Sequence, residues 1–267
     1  MSPADEKFYL GRVTKRVDFA ADLWSLRIQP GGEFHFTPGQ YATLGVQAGE
    51  KLRERPYSIA SSPYESELEF FFELVPNGKV TPDLYKLQAG DQLTMRRIAK
   101  GRFTLDMAGP VTNHLLVSTV TGVAPFVSFV RTLYKDWKEG KFDGAHKLFL
   151  LNGASRSWEF GYLDELQKFA REAPWLKYVP TVSRPWEDEK WQGETGRVDD
   201  LLRKYTDLWG LNGKNSLGYL CGHPGMIETG KGILQRIGFH RESLKEEVYW
   251  VPSKAQNIHP FLPATGN

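Results

Sequence analysis

The stretch HLLVSTVTGVAPF, residues 114–126, decides how the second half of the chain folds. It opens with a continuous apolar run, which is typical of a strand buried on both faces of a sheet. A turn containing Gly122 follows, and Pro125 suits the first turn of a helix that continues as PFVSFVRTLYKDWKEG. A strand, a tight turn and a helix in this order indicate a βα unit of a parallel sheet.

The same alternation continues to the end of the second half. The predicted strands are KLFLLNG, KYVPTVS, LGYLCG and EEVYWV, and the predicted helices between them are LDELQKFAREA, RVDDLLRKY and MIETGKGILQRIG. We therefore predict an α/β domain with a parallel sheet over residues 113–250. Ligands of such sheets bind at the carboxyl ends of the strands.

The first hundred residues have a different pattern. Six short runs with strand character are separated by Gly, Pro and Asn: FYLGRVTKRVDF, LWSLRIQP, GQYATLGV, RPYSIASS, ELEFFFELV and DQLTMRRI. They predict an antiparallel barrel or sandwich over residues 1–107. One short helix, TPDLYKLQ, interrupts them, with Thr81 as its expected cap. The segment DMAGPVTN, residues 106–113, is the expected hinge.

Composition excludes several classes of function. The chain has 267 residues and a net charge of +2, so no global basic field indicates binding to nucleic acid. The single cysteine excludes an internal disulfide and a cluster held by several thiolates, and the six scattered histidines favour no metal site. No apolar run is long enough to span a membrane. We expect a cytoplasmic protein, with a monomer as the expected state.

Polar groups occupy the ends of predicted strands. RPYSIASS, residues 55–62, carries Arg55, Tyr57 and Ser58 where a strand needs only apolar side chains. In the second half, strands end at Arg156 and Arg184, and Arg197 follows shortly after. Three arginines converging on one sheet edge could clamp a phosphate, such as the 2′-phosphate of a nicotinamide dinucleotide.

These motifs in this order resemble the plant-type ferredoxin/flavodoxin–NADP⁺ reductase family, especially its bacterial members. RPYS resembles the family's R-x-Y-S flavin motif, and NGKVTPDL its pyrophosphate segment. TVTGVAPF is similar to G-T-G-x-A-P, CGHPGM to C-G-x-P-x-M, and EVYW to the terminal Glu-x-Tyr-Trp. The resemblance covers about residues 8 to 250. It implies an FAD-binding Greek-key barrel, an NADP-binding α/β domain, and ferredoxin or flavodoxin as partner.

The resemblance also implies roles for individual residues. Ser58, Cys221 and Glu247 would be catalytic, flanking flavin N5 and the nicotinamide. The residues that would bind FAD are Arg55, Pro56, Tyr57, Ser58, Phe71, Phe72, Glu73, Leu74, Lys79, Val80, Thr81, Thr121, Tyr249 and Trp250. Those that would bind NADP(H) are Gly122, Ser155, Arg156, Arg184, Arg197, Cys221, Gly222, Pro224 and Met226. Candidate docking residues for an acidic carrier are Lys51, Arg53, Arg96 and Arg97.

The chain departs from the family pattern in two places. Val120 stands where the family usually has a glycine, and residues 251–267 form a C-terminal extension past Trp250. Two other functions stay open. One is an NADH-dependent flavin reductase of the cytochrome b5 reductase kind. The other is a non-catalytic electron-transfer subunit.

Overall fold

The computed structural model describes residues 7–249, and the first half of that range forms an antiparallel barrel. Its six strands are β1 (Phe8–Ala20), β2 (Leu23–Gln29), β3 (Tyr41–Ala48), β4 (Lys51–Ser58), β5 (Leu68–Glu73) and β6 (Gln92–Arg96). They are hydrogen-bonded in the order β4-β3-β6-β1-β2-β5. An antiparallel bridge between Ile59 and Phe70 joins the two ends of this sheet. The sheet therefore curves into a barrel whose edge strands β4 and β5 meet at this one bridge, and the prediction of an antiparallel first domain is confirmed.

Strand β5 is buried on both faces, which explains its run of aromatic residues. Phe70 and Phe72 pack into the barrel core, where Phe72 stacks on Trp24 with ring centroids 5.3 Å apart. Phe71 points the other way and contacts the rings of Phe19 and Tyr162 edge-on. Successive side chains of a strand alternate between faces, so β5 serves the barrel core and the domain interface at once.

The second half forms a six-stranded sheet in which every neighbouring pair is parallel. Its strands are β7 (Asn113–Thr119), β8 (Lys147–Ala154), β9 (Leu176–Val182), β10 (Glu194–Thr195), β11 (Ser216–Gly222) and β12 (Leu244–Val248). Their order is β10-β9-β8-β7-β11-β12. Because the order reverses after β7, the carboxyl ends of β7 and β11 flank a switch point where ligands bind in folds of this kind.

Within the described residues, five α-helices complete the fold. They are α1 (Thr81–Tyr85) in the barrel domain, and α2 (Ala124–Lys138), α3 (Leu163–Glu172), α4 (Leu202–Trp209) and α5 (Pro224–Arg236) in the parallel-sheet domain. The predicted cap of α1 is wrong, because Val80 is the N-cap and makes no side-chain capping bond. The two-residue strand β10 was not predicted, since so short a strand carries no periodicity. Within residues 7–249, no helix has both the length and the apolarity needed to cross a bilayer.

The two domains share one hydrophobic core. Ala60 and Phe71 of the barrel domain belong to the same buried cluster as Phe126 and Val130 of α2. Polar contacts surround this cluster, including Ser128 Oγ donating to the carbonyl of Ser61 at 2.7 Å. The strand ends of β4 and β7 are therefore held in a fixed relation, and the site lies between them.

Candidate active site

Ser58, Glu247 and Cys221 come together where the two domains meet. Ser58 is the last residue of β4, and its Oγ donates a short hydrogen bond to Glu247 Oε1. Glu247 lies on β12 directly beside Cys221 of β11 in the parallel pairing. The three residues named from the sequence as catalytic thus lie next to one another, although 189 positions separate Ser58 from Glu247 in the chain.

Burial favours the neutral, protonated forms of Glu247 and Cys221. Desolvation raises the pKa of Glu247, and the hydrogen bond from Ser58 opposes that rise only in part. Burial also raises the pKa of the Cys221 thiol well above its ordinary value, with the neighbouring Glu247 acting in the same direction. Cys221 is therefore a neutral thiol at neutral pH. It is suited to packing and weak hydrogen bonding, and it lacks the thiolate that nucleophilic cysteines need.

Tyr249 directly follows β12, and its side chain contacts the turn after β7. Its hydroxyl donates to the backbone carbonyl of Thr121 at 3.1 Å, while 37% of the residue is exposed. Burial of the phenol group, with Cys221 and Glu247 nearby, raises the pKa of Tyr249 well above its ordinary value. Tyr249 and Thr121 therefore close one side of the centre. Trp250 lies outside the described residues.

Arg55 and Tyr57 precede Ser58 on β4. The exposed Arg55 side chain donates to the carbonyl of Glu54 at 2.9 Å, which leaves guanidinium donors for a ligand. The Tyr57 ring meets Phe72 edge-on with centroids 4.9 Å apart. Desolvation raises the pKa of Tyr57, and the charge of Arg55 opposes the rise. A cation, an aromatic ring and a hydroxyl thus follow one another on a single strand, beside an exposed proline at position 56.

The other residues expected to contact FAD form two groups. Phe71, Phe72, Glu73 and Leu74 lie at the end of β5, and the first two are buried. Lys79, Val80 and Thr81 lie at the start of α1. Here Thr81 Oγ1 accepts from the amide of Val75 at 3.1 Å, so its hydroxyl is engaged within the loop.

The turn after β7 is built on an unusual backbone. Val120 has φ of +42°, and it is the one residue other than glycine with positive φ in the described range. A Cβ on Gly122 would lie 2.3 Å from the carbonyl oxygen of Cys221. Glycine at position 122 therefore lets the turn press against the end of β11. Across this contact, Thr119 Oγ1 accepts from the amide of His223 at 2.9 Å.

The start of α5 completes this side of the site. Gly222 has φ of +123°, a conformation that L side chains rarely adopt. His223 caps the helix, with its Nδ1 accepting from the amide of Gly225 at 3.0 Å. Pro224 begins the helix and Met226 is buried in the domain core. His223 was not singled out from the sequence, and the cap position before Pro224 is the signal that could have found it.

Two of the three arginines converge as expected. The amide of Arg184 donates to the carbonyl of Ser155 at 3.0 Å, which joins the loops after β8 and β9. The side chains of Arg156 and Arg184 both approach Glu187. Arg197 pairs instead with the buried Asp199, with Nε 3.3 Å from Oδ1. The sequence did not reveal that each arginine has an acidic partner.

Within residues 7–249, no group of three or more histidine, cysteine, aspartate or glutamate side chains could hold a metal ion. The donor set fits nucleotides better. It includes exposed guanidinium groups on three loop or strand ends, which are the donors that phosphate groups prefer.

Comparison with known proteins assigns each half of the chain separately. Residues 11–104 match the sequence model of the Oxidoreductase FAD-binding domain, and residues 116–231 match that of the Oxidoreductase NAD-binding domain. The expected binding domains for FAD and for a nicotinamide dinucleotide are thus confirmed.

Whole-chain comparisons agree with these assignments. The chain is 29% identical over 244 residues to a ferredoxin–NADP reductase of Pseudomonas aeruginosa, covering 86% of this chain and 90% of that protein. It is 30% identical over 223 residues to a flavodoxin/ferredoxin–NADP reductase of Escherichia coli, covering 81% and 86%.

A solved structure shows the same fold. It is a ferredoxin–NADP⁺ reductase from Neisseria gonorrhoeae with bound FAD and NADP, with a TM-score of 0.79 at 22% identity over 91% of this chain and 99% of that one. The two-domain fold is confirmed, and so is the resemblance found in the motifs. The chain belongs to the bacterial type of the ferredoxin/flavodoxin–NADP⁺ reductase family.

Proposed function

We propose that the protein is an FAD-dependent oxidoreductase that transfers electrons between NADP(H) and ferredoxin or flavodoxin. The observation that carries the proposal is the hydrogen bond from Ser58 to Glu247, because it joins the FAD-binding and NAD-binding halves at one point. Relatives named as ferredoxin or flavodoxin reductases support the choice of carrier.

On the flavin side, the residues of β4 have separate tasks. Arg55 would hold the FAD pyrophosphate, since a guanidinium pairs with phosphate through forked donors. Tyr57 would stack on the isoalloxazine ring, and Ser58 would place its hydroxyl near flavin N5. When bound, FAD supplies hydride acceptance and the exchange of single electrons, which no protein side chain offers.

On the nucleotide side, Cys221 and Glu247 would flank the nicotinamide ring. Gly122 and Gly222 let the turn after β7 and the end of β11 pack together, which would shape the floor for the pyrophosphate of the nucleotide. The arginines would receive the 2′-phosphate. Tyr249 lies against Thr121 beside these residues, and its hydroxyl donates a hydrogen bond to the Thr121 carbonyl. We infer that Tyr249 must swing aside before the nicotinamide can enter, which makes its movement a gating step.

The test begins with the absorption spectrum of purified protein during titration with NADPH. We expect a flavin spectrum that bleaches on reduction, followed by recovery when an oxidised ferredoxin or flavodoxin is added. A protein that stays colourless after addition of FAD would contradict the proposal and favour a non-catalytic subunit.

Ser58 is tested by the variant Ser58→Ala. Loss of its hydroxyl removes the positioning contact to Glu247, so we expect flavin reduction by NADPH in a stopped-flow instrument to slow by about 10- to 100-fold. Ser66→Ala is the matched control, because Ser66 is exposed in the loop between β4 and β5. An unchanged rate in Ser58→Ala would remove Ser58 from the mechanism.

A second candidate is the NADH-dependent reductase. It is favoured by one observation, namely that Arg156, Arg184 and Arg197 all have carboxylate partners. A neutralised arginine attracts a phosphate less strongly than a free one. Comparison of kcat/KM for NADPH and NADH decides between the two cofactors, and a higher value for NADH would overturn NADP(H) as the substrate.

We also propose that the protein acts in the cytoplasm as a monomer. Its one cysteine is buried and free, which is typical of proteins from a reducing compartment. Cell fractionation and light scattering of the purified protein test the two statements separately.

A further inference from the structure

The loops after β8 and β9 share one acidic side chain. Glu187 Oε2 accepts from Arg156 Nε at 2.7 Å and also makes a short contact with Arg156 Nη2. Its other oxygen, Oε1, lies 3.6 Å from Arg184 Nη1. One carboxylate therefore bridges two guanidinium groups that belong to different loops.

A phosphate bound by both arginines would occupy the position that the Glu187 carboxylate occupies. Arginine binds phosphate and carboxylate through the same planar fork of donors, so the two anions compete for it. Both guanidinium groups lie at the carboxyl edge of the sheet, where the proposed function requires the 2′-phosphate. Glu187 thus lies in the place of an anionic ligand.

The neighbouring carboxylates are tied to the backbone. Glu159 Oε2 accepts from the amide of Ser155 at 2.8 Å, and Glu159 Oε1 accepts from Arg156 Nη1 at 3.1 Å. The buried Asp188 accepts from the amide of Ser157 at 2.7 Å. These two residues fix the loops. The Glu187 side chain is 35% exposed and contacts guanidinium groups, so it can turn toward solvent without unfolding either loop.

We propose that Glu187 is an internal competitor for the 2′-phosphate and thereby lowers the preference of the enzyme for NADP(H) over NAD(H). This inference rests on the proposed function. A phosphate that reaches Arg156 and Arg184 must displace the carboxylate and remain close to its negative charge. Glu187 therefore weakens the binding of nucleotides that carry a 2′-phosphate. It does not affect the binding of nucleotides that lack this group.

The variant Glu187→Gln tests the proposal, because glutamine keeps the size of the side chain and removes its charge. The probes are adenosine 2′-monophosphate and adenosine 5′-monophosphate, measured by calorimetry on the FAD-loaded protein at low, fixed ionic strength. We expect the Kd of the 2′-phosphate to fall by about two- to fivefold, which corresponds to one partly exposed ion pair. The Kd of the 5′-phosphate and kcat/KM for NADH should stay unchanged.

Glu189→Gln is the matched control. Glu189 is exposed and lies two residues further along the same loop, so its substitution changes the net charge equally. We expect it to alter the Kd of adenosine 2′-monophosphate much less than Glu187→Gln does. If both variants change the Kd of adenosine 2′-monophosphate equally, the effect comes from the change in net charge and not from the position of Glu187. That result would overturn the proposal.

An unchanged or higher Kd for the 2′-phosphate in Glu187→Gln would also overturn it, and a higher value would mean that Glu187 orients Arg156 for the ligand. Failure of the proposed function has a different signature. If wild-type protein is reduced by NADH but not by NADPH, NADP(H) is excluded as its substrate. A gain of affinity for the 2′-phosphate in Glu187→Gln would still support the role of Glu187 in that case.

Discussion

Val120 carries strain in the turn after β7, where its φ is +42°. Positive φ is unfavourable for a β-branched side chain, because its Cβ branches crowd the backbone. Such a residue costs on the order of 1–3 kcal/mol and persists only where its surroundings impose the conformation. Here Val120 packs against the core shared by the two domains and against a small cluster around Phe160, and Gly122 is pressed against β11 two residues later.

We predict that Val120→Gly is more stable than Val120→Ala by about 1 kcal/mol. Both variants lose the packing of the valine, but only glycine removes the strain, which outweighs its usual entropic disadvantage of roughly 0.4–1 kcal/mol relative to alanine. The measurement is the free energy of unfolding in urea. If Val120→Ala had the higher free energy of unfolding, the backbone at position 120 would have relaxed away from positive φ in that variant.

The sequence predicted individual site residues unevenly. Ser58, Cys221 and Glu247 could be named because the motifs RPYS, CGHPGM and EVYW resemble those of the family. The partners of the arginines could not be named. Glu187 is one of several acidic residues in its loop, and only the fold determines which of them reaches Arg156.

At the scale of elements, α2 is attached to the barrel through a nearly buried ion-pair network. Arg131 of α2 donates to Glu69 Oε2 of β5 at 2.7 Å and to Glu165 Oε1 of α3 at 2.8 Å. Burial acts to raise the pKa of Glu69, but Arg131 outweighs it and the pKa lies below the ordinary value. Tyr162 also donates to Glu69 at 3.1 Å. The interface is thus ordered by charge as well as by apolar packing.

We expect Arg131→Met to destabilise the protein by at most about 3–5 kcal/mol. It removes the more buried of the two cations of Glu69 and leaves that carboxylate paired with Arg27 alone, whose Nη2 lies 2.9 Å from Glu69 Oε2. Lys135→Met is the control on the same helix, since Lys135 pairs with Glu139 near the surface and its side chain is 47% exposed. Urea denaturation followed by circular dichroism measures both. If both variants lose a similar free energy of unfolding, the ion pairs of Arg131 contribute little to stability.

Elements were predictable where periodicity is strong. The six strands of the barrel and the long strands of the parallel sheet follow from alternating or continuous apolar runs. Strand β4 begins at Lys51, whereas the predicted run began at Arg55, because its first half is polar and pairs at the barrel edge. The contacts of Ser61 and Arg131 across the interface escaped prediction, since no local pattern marks a residue that another domain will bury.

At the scale of the whole molecule, a cavity of about 360 Å³ opens beside Glu247, one of the proposed catalytic residues. Glu247 lines it together with Tyr41, which pairs with Ser58 across β3 and β4. Two basic residues, Arg102 and Lys245, also line it, and Arg102 is exposed. A carrier docked over this cavity would lie close to the flavin edge proposed at Ser58.

The candidate docking residues named from the sequence differ in how much charge they present. Arg96 forms two hydrogen bonds with Glu54, at 2.7 and 2.8 Å, and Arg53 lies 4.0 Å from Asp83. A paired guanidinium contributes little to a long-range field. Arg102 is therefore a better candidate for steering an acidic carrier than Arg96.

We predict that Arg102→Gln lowers kcat/KM for reduction of an acidic ferredoxin or flavodoxin by about two- to tenfold, because charge at a transient interface acts mainly on the association rate. Arg96→Gln is the matched control and should have a smaller effect, since Glu54 already neutralises Arg96. The difference between Arg102→Gln and the wild-type protein should shrink as ionic strength rises. Reduction of ferricyanide by NADPH should stay unchanged in both variants, because a small acceptor needs no docking surface. If Arg96→Gln proves the more damaging variant, the carrier docks on the outer side of the barrel, away from the cavity beside Glu247.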